Sequence, residues 1–142
     1  FALTDLSCDD ANSTTDLATL TAHVVLDPGE TVTCTFTDTD QRGHIIVKKL
    51  VSPQGAGDRV FQFYTPCGAP GLAEGESFDC GPIAPGTYDV SEADPSPDFA
   101  LTDLSCDDAN STTDLATLTA HVVLDPGETV TCTFTDTQQV GG

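Results

Sequence analysis

Apolar and polar residues alternate with a period of two along much of this chain, and helical spacing is almost absent. Residues 129–137 show it most plainly. Val130, Cys132, Phe134 and Asp136 fall on one side, and Thr129, Thr131, Thr133, Thr135 and Thr137 on the other. Residues 115–124 predict another strand, with Ala116, Leu118, Ala120, Val122 and Leu124 sharing a face. Residues 87–92 alternate in the same way, and 44–51 form a β-branched run bounded by Pro53. Shorter strands are expected at 60–64 and 77–80. Turn signals separate these runs at Pro53-Gln54-Gly55, Ala84-Pro85-Gly86 and Asp125-Pro126-Gly127-Glu128. About seven short strands at such spacing imply an all-β, two-sheet Greek-key sandwich with Phe61, Phe63, Phe78, Tyr88 and Phe134 in its core.

The pattern also repeats on a larger scale. Residues 1–39 recur without change as residues 99–137, an offset of 98 residues and about the size of one small sandwich domain. The expected organisation is a back portion of one repeat at 1–39, a linker at 40–43, a complete repeat at 44–137 and a second linker at 138–142. Half a sandwich leaves open strand edges and an uncovered apolar face. Either the chain continues upstream of Phe1, or the orphan strands complete a domain in another molecule by strand exchange. The short linker favours a semi-stiff rod, with adjacent copies of the repeat as partners.

Composition narrows the function classes. The formal net charge is −19, from 23 acidic residues against Arg42, Arg59, Lys48 and Lys49. Nucleic acids and anionic membrane surfaces are excluded as partners, because phosphate binding needs clustered cations. No apolar run approaches the roughly 20 residues of a membrane span. The chain starts at Phe1 rather than Met and shows no signal peptide, so Phe1 is expected to lie downstream of a secretory leader. No nucleophile elbow, phosphate loop or dinucleotide fingerprint occurs, and His44 and His121 sit in strand patterns, so no enzyme chemistry on an external substrate is expected.

Six cysteines without a Cys-x-x-Cys motif fit disulfides in an oxidising, extracellular compartment. Cys8 and Cys34 recur as Cys106 and Cys132, so each pair is expected to close within its own copy, satisfying both copies identically. That leaves Cys67 with Cys80. Closing loops of about 26 and 14 residues stabilises by roughly 3 to 3.5 kcal/mol each on the loop-entropy account. The acidic loop that follows Cys106 sets oxygen ligands at Asp108, Asn110, Thr112 and Asp114, a spacing like the first half of a calcium loop. It lacks the glycine turn and the distal bidentate Glu, and a solvated Asx-rich turn is the simpler account. Asn110-Ser111-Thr112 and Asn12-Ser13-Thr14 are also glycosylation sequons. Apart from calcium, no cofactor is expected.

Four motifs in order resemble the prealbumin-like, collagen-adhesin B-type (SpaA-like) repeats of bacterial surface proteins. Gly43-His44-Ile45-Ile46-Val47-Lys48-Lys49 looks like that family's first strand, which ends on lysine. Ala84-Pro85-Gly86-Thr87-Tyr88-Asp89-Val90-Ser91-Glu92 resembles its "PGTYxVxE" strand, and Val130-Thr131-Cys132-Thr133-Phe134-Thr135-Asp136-Thr137 its last strand, where Asn is commoner than Asp136. Leu104-Ser105-Cys106-Asp107-Asp108 with Thr131-Cys132-Thr133 matches a disulfide-bearing branch. The resemblance implies a stalk, spacer or fibre module on a cell surface; the alternatives are a module binding calcium, glycan or protein through its loops, or a filament subunit.

Alternation sharpens one element of that resemblance. Lys49 shares a face with Ile45 and Val47, Glu92 with Tyr88 and Val90, and Asp136 with Phe134, so all three are expected to point inward. Burial favours a neutral amine beside a protonated acid. The resemblance implies an isopeptide bond from Lys49 to Asp136 with Glu92 relaying protons. The rival is a buried ion network without the bond. Asp38 has no lysine in its own copy, so a single bond is expected.

Overall fold

The structure, a computed structural model, describes residues 1–53 and 59–139. It divides into two units, Phe1–Gln41 and Arg42–Gly142, and the division falls inside the expected linker. In unit 1, β1 (Ala2–Cys8) pairs antiparallel with β4 (Cys34–Thr39), and β2 (Thr14–Asp16) with β3 (Thr21–His23). These are two separate two-stranded sheets.

Unit 2 contains nine strands among its described residues: β5 (Gly43–Ser52), β6 (Phe61–Tyr64), β7 (Gly71–Leu72), β8 (Ser77–Ile83), β9 (Gly86–Glu92), β10 (Phe99–Cys106), β11 (Thr112–Asp114), β12 (Thr119–Leu124) and β13 (Thr129–Gln138). They form a two-sheet sandwich, with order β10-β13-β5-β8 in one sheet and β11-β12-β9-β6-β7 in the other. The first and last strands of the unit, β5 and β13, are neighbours and run parallel. Ile45, Val47 and Val51 of β5 meet Val130, Cys132 and Phe134 of β13 on the inner face, opposite Val90, Ala120, Val122 and Leu124 of the other sheet. Phe61, Phe63 and Phe134 are buried; Phe78 and Tyr88 pack partly exposed at its margin. Phe63 meets Phe134 edge-on at 5.1 Å between centroids, an arrangement the ring quadrupoles favour.

The strand expected at 115–124 begins only at Thr119. Asp114 Oδ1 accepts hydrogen bonds from the amides of Ala116 and Thr117, Leu118 N–H bonds Leu115 O, and Leu118 adopts a φ of 54°. A side chain that caps the local turn outcompetes the ladder, so Ala116 lies exposed rather than on the inner face. β10 went unpredicted because a register shift between Leu101 and Asp103 breaks its alternation. Of the expected turns, Gly127 takes the left-handed conformation its position requires (φ 71°), while Gln54 and Gly55 lie outside the described residues, as does Val140 to Gly142 of the second linker.

All three disulfides are closed: Cys8 with Cys34, Cys67 with Cys80, and Cys106 with Cys132. Cys106 and Cys132 face each other directly across β10 and β13, with Cα atoms 4.0 Å apart. Cys67, beyond β6, is tied to β8.

The duplicated segment meets two environments. Phe134 is fully buried, whereas Phe36, the same residue of the same sequence, is 54% exposed. Replacing each by alanine therefore separates packing from local sequence. Phe134→Ala should cost about 3 to 5 kcal/mol in urea unfolding of unit 2. Phe36→Ala should stay within about 0.5 kcal/mol. Equal costs for the two substitutions would contradict the two environments.

Candidate functional site

β5 alternates inward and outward, so Lys48 is exposed while Lys49 joins Ile45, Val47 and Val51 on the inner face. The parallel register sets Phe134 beside Lys49 and Asp136 beside Val51, which brings the Asp136 carboxyl alongside the lysine side chain. Glu92, the last residue of β9, pairs with Phe63 in the opposite sheet and reaches the same point from across the core. Lys49 and Asp136 are wholly buried and Glu92 is 4% exposed.

Lys49 Nζ donates a hydrogen bond to Glu92 Oε2 at 2.8 Å and lies 2.7 Å from Asp136 Oδ2. The second approach is off the hydrogen-bond direction: neither Asp136 oxygen, nor Glu92 Oε1, has a hydrogen-bond partner. The ammonium also sits 4.4 Å from the centre of the Phe61 ring and 5.8 Å from that of Phe63, a cation–π setting that keeps water away. Two carboxylates facing one ammonium would leave a net negative charge in an apolar core, which is costly.

The cost is relieved by protonation. Burial raises the Glu92 pKa from 4.5 to about 8; a hydrogen bond with Asp136 adds to this, and Lys49 works against it. Two ionised carboxylates cannot hydrogen-bond each other, so the orphaned oxygens find a donor only once Glu92 carries its proton. Chemically, the site holds an amine against a carboxyl carbon's oxygen, with a second carboxyl that is a proton donor near neutral pH and water largely excluded.

The other predicted residues are placed elsewhere. Asp108 Oδ2 accepts from Ser111 Oγ at 2.6 Å, Asn110 Nδ2 donates to the Asp125 carboxylate, Thr112 lies in β11 and Asp114 caps its own turn. Among the described residues no group of three or more His, Cys, Asp or Glu could hold a metal ion. Two histidine pairs were illegible in sequence: His121 Nδ1 lies 2.8 Å from Asp89 Oδ1, and His44 Nδ1 2.9 Å from Asp79 Oδ1. Only the strand register, which sets His121 opposite Asp89, could have revealed the first. Arg59, which stacks 5.0 Å from the Phe61 ring and donates to Pro95 O, also escaped notice.

Comparison with known proteins agrees with the fold. The profile of the prealbumin-like fold domain of the SpaA type matches residues 51–138. The chain belongs to this family of prealbumin-like domains. The matched stretch holds Glu92 and Asp136, and Lys49 lies just ahead of it. Among solved structures, the chain is similar to a bacterial adhesin from Mobiluncus mulieris containing intramolecular disulfide, isopeptide and ester bond cross-links, in crystals of space groups P1 and P21. Each comparison has a TM-score of 0.59 at 17% identity and covers 80% of this chain. This chain spans 47% of that adhesin, less than half its length. No curated protein matches.

The raised Glu92 pKa has a consequence for stability. Between pH 4.5 and about 8 the folded, unlinked chain holds a proton that the unfolded chain has lost. Folding stability of the unlinked chain therefore falls as pH rises through that window and is greatest at its acid end, as far as this group is concerned. Thermal unfolding midpoints across the window should fall in unlinked wild type and fall less in Glu92→Gln. Parallel profiles for the two proteins would show that Glu92 holds no such proton.

Proposed function

We propose that this chain is a structural module of an extracellular surface protein, a tandem-repeat link in a stalk, adhesin or fibre, with an isopeptide bond from Lys49 to Asp136 closing each complete repeat. One observation carries the reading: the amine and carboxyl that lie 2.7 Å apart in a dry core belong to the first and last strands of unit 2. Adjacent repeats are its partners. Family membership, three disulfides and an acidic surface that repels anionic partners all support a cell-surface location and a non-enzymatic role.

The bond needs no external reagent. Lys49 first passes a proton to Asp136 by way of Glu92; the resulting neutral amine attacks Cγ of the protonated Asp136 carboxyl, the N–C bond forms, and the bond from Cγ to the hydroxyl oxygen breaks. Glu92 takes a proton from the nitrogen and delivers one to the departing oxygen, so that one water leaves and Glu92 ends in its starting state.

The gain is mechanical. Each disulfide of unit 2 closes within its front or its back strands: Cys67–Cys80 within residues 43–98, Cys106–Cys132 within 99–138. None joins β5 to β13. Tension applied at Gly43 and Gln138 would shear that parallel ladder. A Lys49–Asp136 bond would carry the load across it instead and shield the 86 residues between them.

Intact mass of purified protein should be lower by one water than the sequence mass with its three disulfides. Tandem mass spectrometry should find the Lys49 peptide joined to the Asp136 peptide. Asp136→Ala should restore the missing water and make the domain extensible under force, while Glu92→Gln should fold but remain unlinked. Free Lys49 and Asp136 peptides from folded wild type would end the isopeptide reading and leave an ion-paired module.

A further inference from the structure

The tip of the Lys49 side chain is met by two carboxyls, but its main chain is held by a different element. The regular pairing of β5 with β8 ends at Lys48 opposite Ser77, so Lys49 stands one residue beyond that ladder. Its peptide groups are nonetheless bonded, as a wholly buried residue requires. Lys49 N–H donates to Glu76 O at 3.0 Å, and Gly75 N–H donates to Lys49 O at 2.8 Å. Both partners belong to the four-residue turn at 73–76, which joins β7 to β8.

This turn is locked by its own residues. Glu76 N–H bonds Ala73 O at 3.0 Å, and Glu76 Oε1 accepts from Ala73 N–H at 2.7 Å. Gly75 has a φ of 80°, a left-handed conformation that most side chains enter only with strain. The same turn recurs at 125–128: Glu128 N–H bonds Asp125 O, Glu128 Oε1 accepts from Asp125 N–H, and Gly127 has the left-handed φ. It forms again at 27–30 in unit 1, whose strands β1 to β4 include no counterpart of β5. Its shape therefore comes from its own four residues and not from the strand it meets.

Within unit 2 the two turns take β5 at different points. Glu128 O accepts from His44 N–H at 3.0 Å, near the start of the strand. The turn at 73–76 takes Lys49, about 17 Å further along. Only this second turn holds the residue whose side chain reaches the buried trio. Nζ rides on a flexible four-carbon stem, so its place depends on what fixes the base of the stem as well as on what meets the tip. Glu92 and Asp136 meet the tip at 2.8 and 2.7 Å, while Glu76 and Gly75 fix the base.

We propose that the turn at 73–76, through Gly75 and Glu76, is the positioning element that aims the Lys49 amine for isopeptide formation. The proposal rests on the Lys49–Asp136 bond proposed above. Gly75 and Glu76 act through the main chain of Lys49 and are positioning residues. A misplacement of about 1 Å can slow a positioned reaction by about 100-fold, so a preformed turn at the base of the nucleophile matters to the rate.

The test follows the loss of one water by intact mass after cell-free synthesis of the 142-residue chain under oxidising conditions. A Cβ at Gly75 or Gly127 would meet nothing within 4 Å beyond its chain neighbours, so alanine at either position strains the turn without a clash. Gly75→Ala should slow linking by at least about 10-fold, and Gly75→Asn, which tolerates the left-handed conformation, should recover most of the rate. Should Gly75→Ala fail to fold, the exposed Glu76 decides: Glu76→Ala should slow linking, and Glu76→Gln, which keeps an acceptor for Ala73 N–H, should not. Gly127→Ala puts the same strain into the twin turn and should link at the wild-type rate. In the unlinked Glu92→Gln background, Gly75→Ala and Gly127→Ala should lower the urea midpoint alike, which separates aiming from stability. Wild-type linking in both Gly75→Ala and Glu76→Ala, or equal slowing in Gly127→Ala, would overturn the proposal while the isopeptide reading stands. A folded wild type that never loses the water ends that reading and the proposal with it.

Discussion

One ammonium group, held in a dry core between two carboxyls, is the point on which the complete sandwich turns. Lys49 Nζ has one carboxyl at 2.7 Å, a second at 2.8 Å and aromatic rings beside it. A charge so placed tolerates little displacement, since losing Asp136 leaves an uncompensated ammonium in low dielectric. The three residues come from β5, β9 and β13, so their meeting specifies the parallel register of the terminal strands and the stacking of the two sheets together. Protonation of Glu92 is how the interior accepts a second carboxyl at all.

Around that point the covalent staples are divided by half. The disulfides lock the front strands to one another and the back strands to one another. The joint between the halves consists of the β5–β13 ladder, the apolar faces and the buried trio. Hydrophobic packing is non-directional and parallel pairing is slightly weaker per residue than antiparallel, so this joint is where a covalent bond adds most resistance to shear.

Duplication separates local from tertiary causes with unusual clarity, because 39 identical residues appear twice. The hairpin β1–β4 and its disulfide reproduce β10–β13, and the Asp16 turn reproduces the Asp114 turn, down to the bonds from Ala18 and Ala116. These features belong to the local sequence. The full lengths of β12 and β13, and the burial of Phe134 and Asp136, belong to strands that unit 1 lacks. Strand propensity is a fit to a half-buried surface, and where the neighbour is missing the strand ends early.

The sequence by itself determined the all-β class, the repeat, the alternating faces of β5, β9 and β13, and hence that Lys49, Glu92 and Asp136 face inward. Period two is a covalent property of an extended chain, so it survives in the residue order and can be read there. It could not determine where alternation yields to a turn, as at Leu118, or where a bulge hides a strand, as at Leu101 to Asp103. Nor could it pair His121 with Asp89. The distance from Lys49 to Asp136 was equally out of reach. Each of these depends on which strand lies alongside which, a choice made by burial and pairing across residues up to 87 positions apart, and only the assembled sandwich decides it.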